Sequence, residues 1–166
     1  MDLYLVRHAR AGQADPERWP DDRERPLTAD GARRFRPVAR ALRDLGVAPD
    51  VVLASPLTRA WQTAELLARW ADWPAPTACA ALEPDQPPAV ALEALQPYAQ
   101  ARSLALVGHE PHLHLLLSRL LSGADDLVQV ELKKGAAAGL RCDEGPRAGS
   151  ASLRWLLTPA LARAAR

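Results

Sequence analysis

"LYLVRHARAG", residues 3–12, sets four apolar residues directly against an arginine, a histidine and a second arginine. With Asp2 ahead of it, the segment 2–6 reads as an almost continuous apolar run. Runs of this length predict a strand buried on both faces, as in a parallel sheet covered by helices. The strand therefore ends on Arg7 and His8, and the rest of the chain has to explain that ending.

Working outward, strand signals alternate with helix signals along the whole sequence. That alternation predicts an α/β fold, a three-layer α/β/α sandwich on a mostly parallel central sheet, with residues 1–166 forming a single domain. Residues 13–26, "QADPERWPDDRERP", are polar and broken by proline, and read as an exposed loop. Thr28 offers a helix N-cap and Gly46 a stop. Between them Phe35, Val38, Ala39, Leu42 and Leu45 recur at helical spacing, with Pro37 in the interior, where a kink or split is expected. "DVVLA" (50–54) is a second strand, and Ser55–Pro56 resemble an N-cap and first helical residue for a helix through about Trp70. Leu57, Ala60, Trp61, Ala64, Leu67 and Ala68 form its apolar face. A short strand near 77–79 precedes "EPDQPP" and a helix from about Ala89 to Ala99. "LALV" (104–107) is a further buried strand, and Pro111 suits the first turn of the helix carrying Leu113, Leu116, Leu117 and Leu120. The tail adds strand-like pieces near 127–132, 136–141 and 152–157 and a short final helix.

Composition narrows the function classes. With 21 basic and 20 acidic residues the formal charge is +1, which argues against a nucleic-acid partner. No apolar run approaches the ~20 residues of a membrane span. No basic leader precedes a long apolar stretch, and Cys79 and Cys142 lack close spacing, so a reduced cytoplasmic protein is expected. Only Lys133 and Lys134 are lysines.

Arg7 and His8 end the first strand, Arg59 lies in the first turn after the second, and His109 follows "LALVG". In an open parallel sheet these junctions share the carboxyl edge, where ligands bind. Two arginines and two histidines at that edge describe a pocket for a dianionic phosphate. The rival use of histidine is a metal. "HEPHLH" packs His109, His112 and His114 closely, but Pro111 interrupts it and the i, i+4 spacing of a zinc-binding helix is absent. No metal or other cofactor is expected, and His112 and His114 are read as rim or surface residues.

These motifs, "LVRHARA", "SPLTRAWQTAELL" and "LVGHEPHL", resemble those of the histidine phosphatase superfamily, which has the phosphoglycerate mutase-like fold. "RPLTADG" (25–31), "VELKKGAAAGL" (130–140) and the short length make the chain most similar to phosphohistidine phosphatases of the SixA type. Ala9 stands where the family usually has glycine. The resemblance implies that His8 is a nucleophile, that Arg7 and Arg59 hold a phosphate, and that His109 donates to its oxygens, either protonated or as a neutral donor. Many family members use a glutamate after the third strand as an acid. Glu83 and Asp85 lie in that region, and Glu83 is the candidate, the alternative being a loop carboxylate at the surface. The chemistry implied is metal-independent hydrolysis of a phosphomonoester or phosphoramidate through phosphohistidine. The partner is a phosphorylated protein carrying phosphohistidine, the alternatives being a small phosphate ester and a phosphate-binding module without turnover. A monomer is compatible with this reading.

Overall fold

A computed structural model describes residues 1–165. Six strands form one sheet in the order β3-β2-β4-β1-β5-β6. They are β1 (Asp2–Arg7), β2 (Val51–Ala54), β3 (Thr77–Ala78), β4 (Ser103–Gly108), β5 (Ala137–Cys142) and β6 (Ala151–Leu157). The first four are mutually parallel, while β5 pairs antiparallel to both β1 and β6. The helices are α1 (Ala29–Asp44), α2 (Thr58–Ala71), α3 (Pro88–Leu95), α4 (His112–Ser122) and α5 (Pro159–Ala164).

Successive side chains of a strand point to opposite faces, and the central strands show this directly. Val6, Val52, Ala54, Ala105 and Val107 join Phe35, Val38, Leu42, Ala64 and Leu67 in one core, under α1 and α2. Leu3, Leu5, Leu53, Leu104 and Leu106 join Leu95, Leu113, Leu116 and Leu117 in a second core, under α3 and α4. Both faces of the sheet are thus covered, which gives the three layers expected from the apolar runs.

Several local expectations need correction. Pro37 does not split α1, which is one helix over Ala29–Asp44. The carbonyl of Arg33, left without its amide partner, lies on an exposed turn where water can satisfy it. Thr28 caps α1 as expected, its Oγ1 accepting from the Gly31 amide at 2.9 Å. Leu45 is the C-cap and 68% exposed, so it stands outside the apolar face. Gly46 then takes a φ of 72°, the left-handed stop a glycine provides. α2 starts at Thr58 with Leu57 as an N-cap that has no side-chain bond, not at Ser55–Pro56. The Ser55 hydroxyl accepts from the Leu57 amide at 3.4 Å, just ahead of the helix, and also meets His109. The helix expected to reach Ala99 ends at Leu95, and a 3-10 turn continues over Gln96–Tyr98.

Residues 127–132 form no strand. Their polar backbone is satisfied by side chains instead. Ser118 Oγ accepts from the amides of Leu127 and Val128, the Val130 carbonyl meets His114, and the Leu132 carbonyl accepts from Arg7.

Candidate active site

The register of two parallel strands creates the site. Arg7 of β1 lies opposite Gly108 of β4, so the residues that follow, His8 and His109, leave the sheet side by side. The His8 amide still donates to the Gly108 carbonyl at 2.9 Å. The two imidazole centroids are 5.1 Å apart with their planes at 55°. Both rings are buried, and His109 is only 2% exposed.

Each ring is fixed by one bond. His8 Nδ1 lies 2.7 Å from the Ala9 carbonyl oxygen. A carbonyl only accepts, so Nδ1 carries the hydrogen and Nε2 keeps its lone pair. Burial, countered by the Ala9 bond and reinforced by the charges of Arg59, Arg7 and Lys134, holds the His8 pKa down to about 4. The ring is therefore neutral at physiological pH, with its free lone pair on Nε2. His109 Nε2 lies 2.8 Å from Ser55 Oγ, and its Nδ1 is buried without a partner. Burial, then the neighbouring His8, Arg59, His112 and Arg7, push its pKa to about 2. The protonated form of His109 is thus disfavoured. Ser55 Oγ already accepts from the Leu57 amide at 3.4 Å, which leaves its hydrogen to be donated to His109 Nε2; a neutral ring in that tautomer carries its own hydrogen on Nδ1.

Arg7 donates through Nη1 to the Leu132 carbonyl at 2.7 Å, while its Nε is buried and unpartnered. Arg59, buried in the first turn of α2, donates through Nη1 to the Asp22 backbone carbonyl at 2.9 Å and lies 3.2 Å from the Asp22 carboxylate. Asp22 belongs to a 3-10 turn (Asp22–Glu24) inside the loop that sequence marked as polar. Arg25 grips the other side of the same carboxylate and also donates to the Gly12 carbonyl, tying the loop down. Thr63 locks strand end to helix: its Oγ1 accepts from the Ala9 amide at 3.0 Å and donates to the Arg59 carbonyl at 2.7 Å.

The structure thus brings Arg7, His8, Arg59 and His109 to one edge. Glu83 follows a 3-10 turn (Ala80–Leu82) and is 9% exposed, so it is no surface carboxylate. Both of its oxygens are engaged by the Arg23 guanidinium, one of them at 2.9 Å. His112 is also misplaced by the sequence reading: it is 1% exposed, with both ring nitrogens buried and unpartnered. His114 is partly buried and bonds the Val130 carbonyl and Asp126. Among the described residues no three His, Cys, Asp or Glu side chains gather as a metal-ligand set. Sequence reasoning missed Ser55, Thr63, Asp22 and Glu110. Ser55 read as a helix cap, and Thr63 lay outside the apolar face singled out for its helix. Glu110 is half-buried with its pKa raised by burial against the opposing pull of Arg7. Its place beside His109 in "GHEP" was the available signal.

An imidazole with a free nitrogen, a second imidazole, the buried Arg59 and the half-buried Arg7 at the carboxyl edge of a parallel sheet define a site for a tetrahedral oxyanion. Residues 3–82 match the model of the histidine phosphatase superfamily (branch 1), and the chain belongs to that superfamily. An uncharacterized protein of Picosynechococcus sp. is 37% identical over 143 residues, 85% of each chain. Among solved structures, the protein histidine phosphatase SixA complexed with tungstate superposes with a TM-score of 0.84 at 25% identity, covering 96% of this chain and 98% of that one. The α-ribazole phosphatase of Shigella flexneri shares the fold, with a TM-score of 0.69 at 20% identity over 96% and 97% of the two chains.

Proposed function

We propose that this chain is a phosphatase acting on protein phosphohistidine through a covalent phosphohistidine on His8. The observation that carries the reading is the His8 tautomer: Nδ1 is tied to the Ala9 carbonyl, which leaves Nε2 as a neutral nucleophile near the buried Arg59 and the half-buried Arg7. Nε2 attacks phosphorus in line, forming a P–N bond as the bond to the leaving group breaks. Arg7, Arg59 and the His109 Nδ1–H stabilise charge on the non-bridging oxygens. Water then attacks phosphorus, the P–Nε2 bond breaks, inorganic phosphate departs and the lone pair returns to the ring. Splitting one displacement into two easier ones is the gain of covalent catalysis.

Two points favour phosphoramidate over ester. A phosphohistidine substrate protonated on its distant ring nitrogen leaves as neutral imidazole and needs no acid from the enzyme. An ester needs one. Glu83, the candidate acid, would have to leave the Arg23 fork to donate. The similarity to a protein histidine phosphatase supports the same choice. A small phosphate ester is the second reading, favoured by the likeness in fold to an α-ribazole phosphatase.

Incubation with a 32P-labelled phosphohistidine peptide is expected to leave an acid-labile, alkali-stable label on the protein, absent from His8→Ala. Label surviving in His8→Ala would sink the assignment of the nucleophile. A single small phosphate ester turned over with far higher kcat/KM than any phosphohistidine peptide would establish the second reading instead.

A further inference from the structure

Beside the phosphate site runs a surface groove of about 550 Å³. Arg7, Arg10, Lys133, Lys134 and Arg163 line it, against the single carboxylate of Glu131. Five cations and one anion on one surface contrast with a whole-chain charge of +1. Both lysines of the chain are among them. The groove joins the reaction centre at two points. Arg7 belongs to both, and the amide of Gly135, next to Lys134, donates to the carbonyls of Arg7 and His8. The Lys134 ammonium has its pKa lowered by burial and then by Arg7, Arg25, Arg10 and Arg59, so it stands within the field of the site.

Most of this charge exceeds what one phosphate needs. Arg7 and Arg59 already suffice for a dianion. Arg10, Lys134 and Arg163 form no salt bridge among the described residues, and Lys133 only approaches Glu131 at 3.9 Å. Leaving like charges side by side costs stability, so an uncompensated row of them fits a surface that meets an anion. The groove has no buried polar wall to enclose a small ligand. Arg10, Lys133, Lys134, Ala160 and Arg163 are all exposed. Long, mobile, exposed cations spaced along a surface suit an extended acidic polypeptide.

We infer that the Arg10–Lys133–Lys134–Arg163 groove docks an acidic segment flanking the phosphorylated histidine of a partner protein. This rests on the phosphohistidine phosphatase reading above and adds the sequence context of the substrate. Specificity comes from carboxylates bound beside the phosphate, and its signature is ionic-strength dependence carried in KM.

The test compares two phosphohistidine peptides that differ only in Asp/Glu or Ser/Gln flanks, with p-nitrophenyl phosphate as reference. Wild-type protein is expected to favour the acidic peptide by roughly tenfold in kcat/KM, mainly through KM. The preference collapses between about 0.05 and 0.5 M salt, as screening shortens the reach of the charges. The Lys133→Glu/Arg163→Glu protein, and the milder Lys133→Gln/Arg163→Gln protein, lose the preference while turning over p-nitrophenyl phosphate as before. Equal kcat/KM for both peptides, or an equal loss on all three substrates, overturns the inference. So does a loss confined to a small bisphosphate, propane-1,3-diyl bisphosphate, with the peptides unaffected. Fluorescence anisotropy of the unphosphorylated acidic peptide separates the two levels. Salt-sensitive binding lost in the variants, with no turnover of any substrate, upholds the docking groove and sinks the phosphatase reading.

Discussion

The Ala9 carbonyl decides the reactivity of His8 by choosing which nitrogen keeps its hydrogen. Alanine fits at position 9 because its φ is not positive, so no glycine-only backbone is needed. Burial makes both imbalances of charge at the site visible in stability. His8, with an ordinary value of 6.5, titrates near 4 when folded, so the unfolded chain binds more protons between those values. Stability therefore falls as pH drops through that window, by about 1.4 kcal/mol per unit. Urea unfolding at pH 7.5 and 5 is expected to show His8→Asn losing about 2 kcal/mol less than wild type over that span. Equal losses would mean that His8 titrates normally. Ser55 acts through His109. Ser55→Ala removes the hydroxyl that fixes the ring, and kcat is expected to fall by about tenfold with KM little changed, recovered in part by Ser55→Thr. A KM effect of the same size would show the hydroxyl contacting substrate directly.

Elements carry the site by close approach. Gly31, in the first turn of α1, packs on the backbone that follows His8: a Cβ there would sit 1.9 Å from the Arg10 carbonyl oxygen and 2.8 Å from its carbon. Backbone cannot yield as a flexible side chain can. Gly31→Ala is expected to cost about 3 kcal/mol in chemical denaturation and to lower phosphoenzyme formation. Loss of stability with normal phosphoenzyme formation would uncouple α1 from the strand end. The same glycine was visible in "RPLTADG" only as a resemblance. Its physical reason, an oxygen from another segment, has no trace in local sequence. Other elements were legible because their cause is local: apolar runs gave β1 and β4, and Thr28 and Gly46 bounded α1. Ser55 misled for the opposite reason. Its hydroxyl suits a cap and does accept from the Leu57 amide at 3.4 Å, but its closer partner, His109, comes from a distant strand end. Residues 127–132 misled similarly, since an apolar alternating stretch finds its hydrogen bonds in Ser118, His114 and Arg7 instead of a neighbouring strand.

At the scale of the molecule, the sheet gathers segments from across the chain into one oxyanion cradle. The two histidines and Arg59 could be placed there from sequence because parallel strands share a carboxyl edge. The loop contribution of Asp22 could not, since an exposed polar stretch sets no partner. A ligand that bridges these segments stabilises the whole. Phosphate or vanadate at about 100 times its Kd is expected to add about 2.7 kcal/mol, read as a rise in Tm. Arg59→Ala abolishes that rise. An undiminished rise in that variant would place the anion elsewhere.

The pairing of Arg7 with Gly108 carries a consequence for how this chain can change length. Neighbouring positions on a strand face opposite ways, so deleting one residue between Asp2 and His8 would turn the imidazole into the wrong layer. Duplicating a residue in β4 would do the same to His109. The residue count is therefore fixed inside these two strands, while residues 13–21 can grow or shrink without disturbing it.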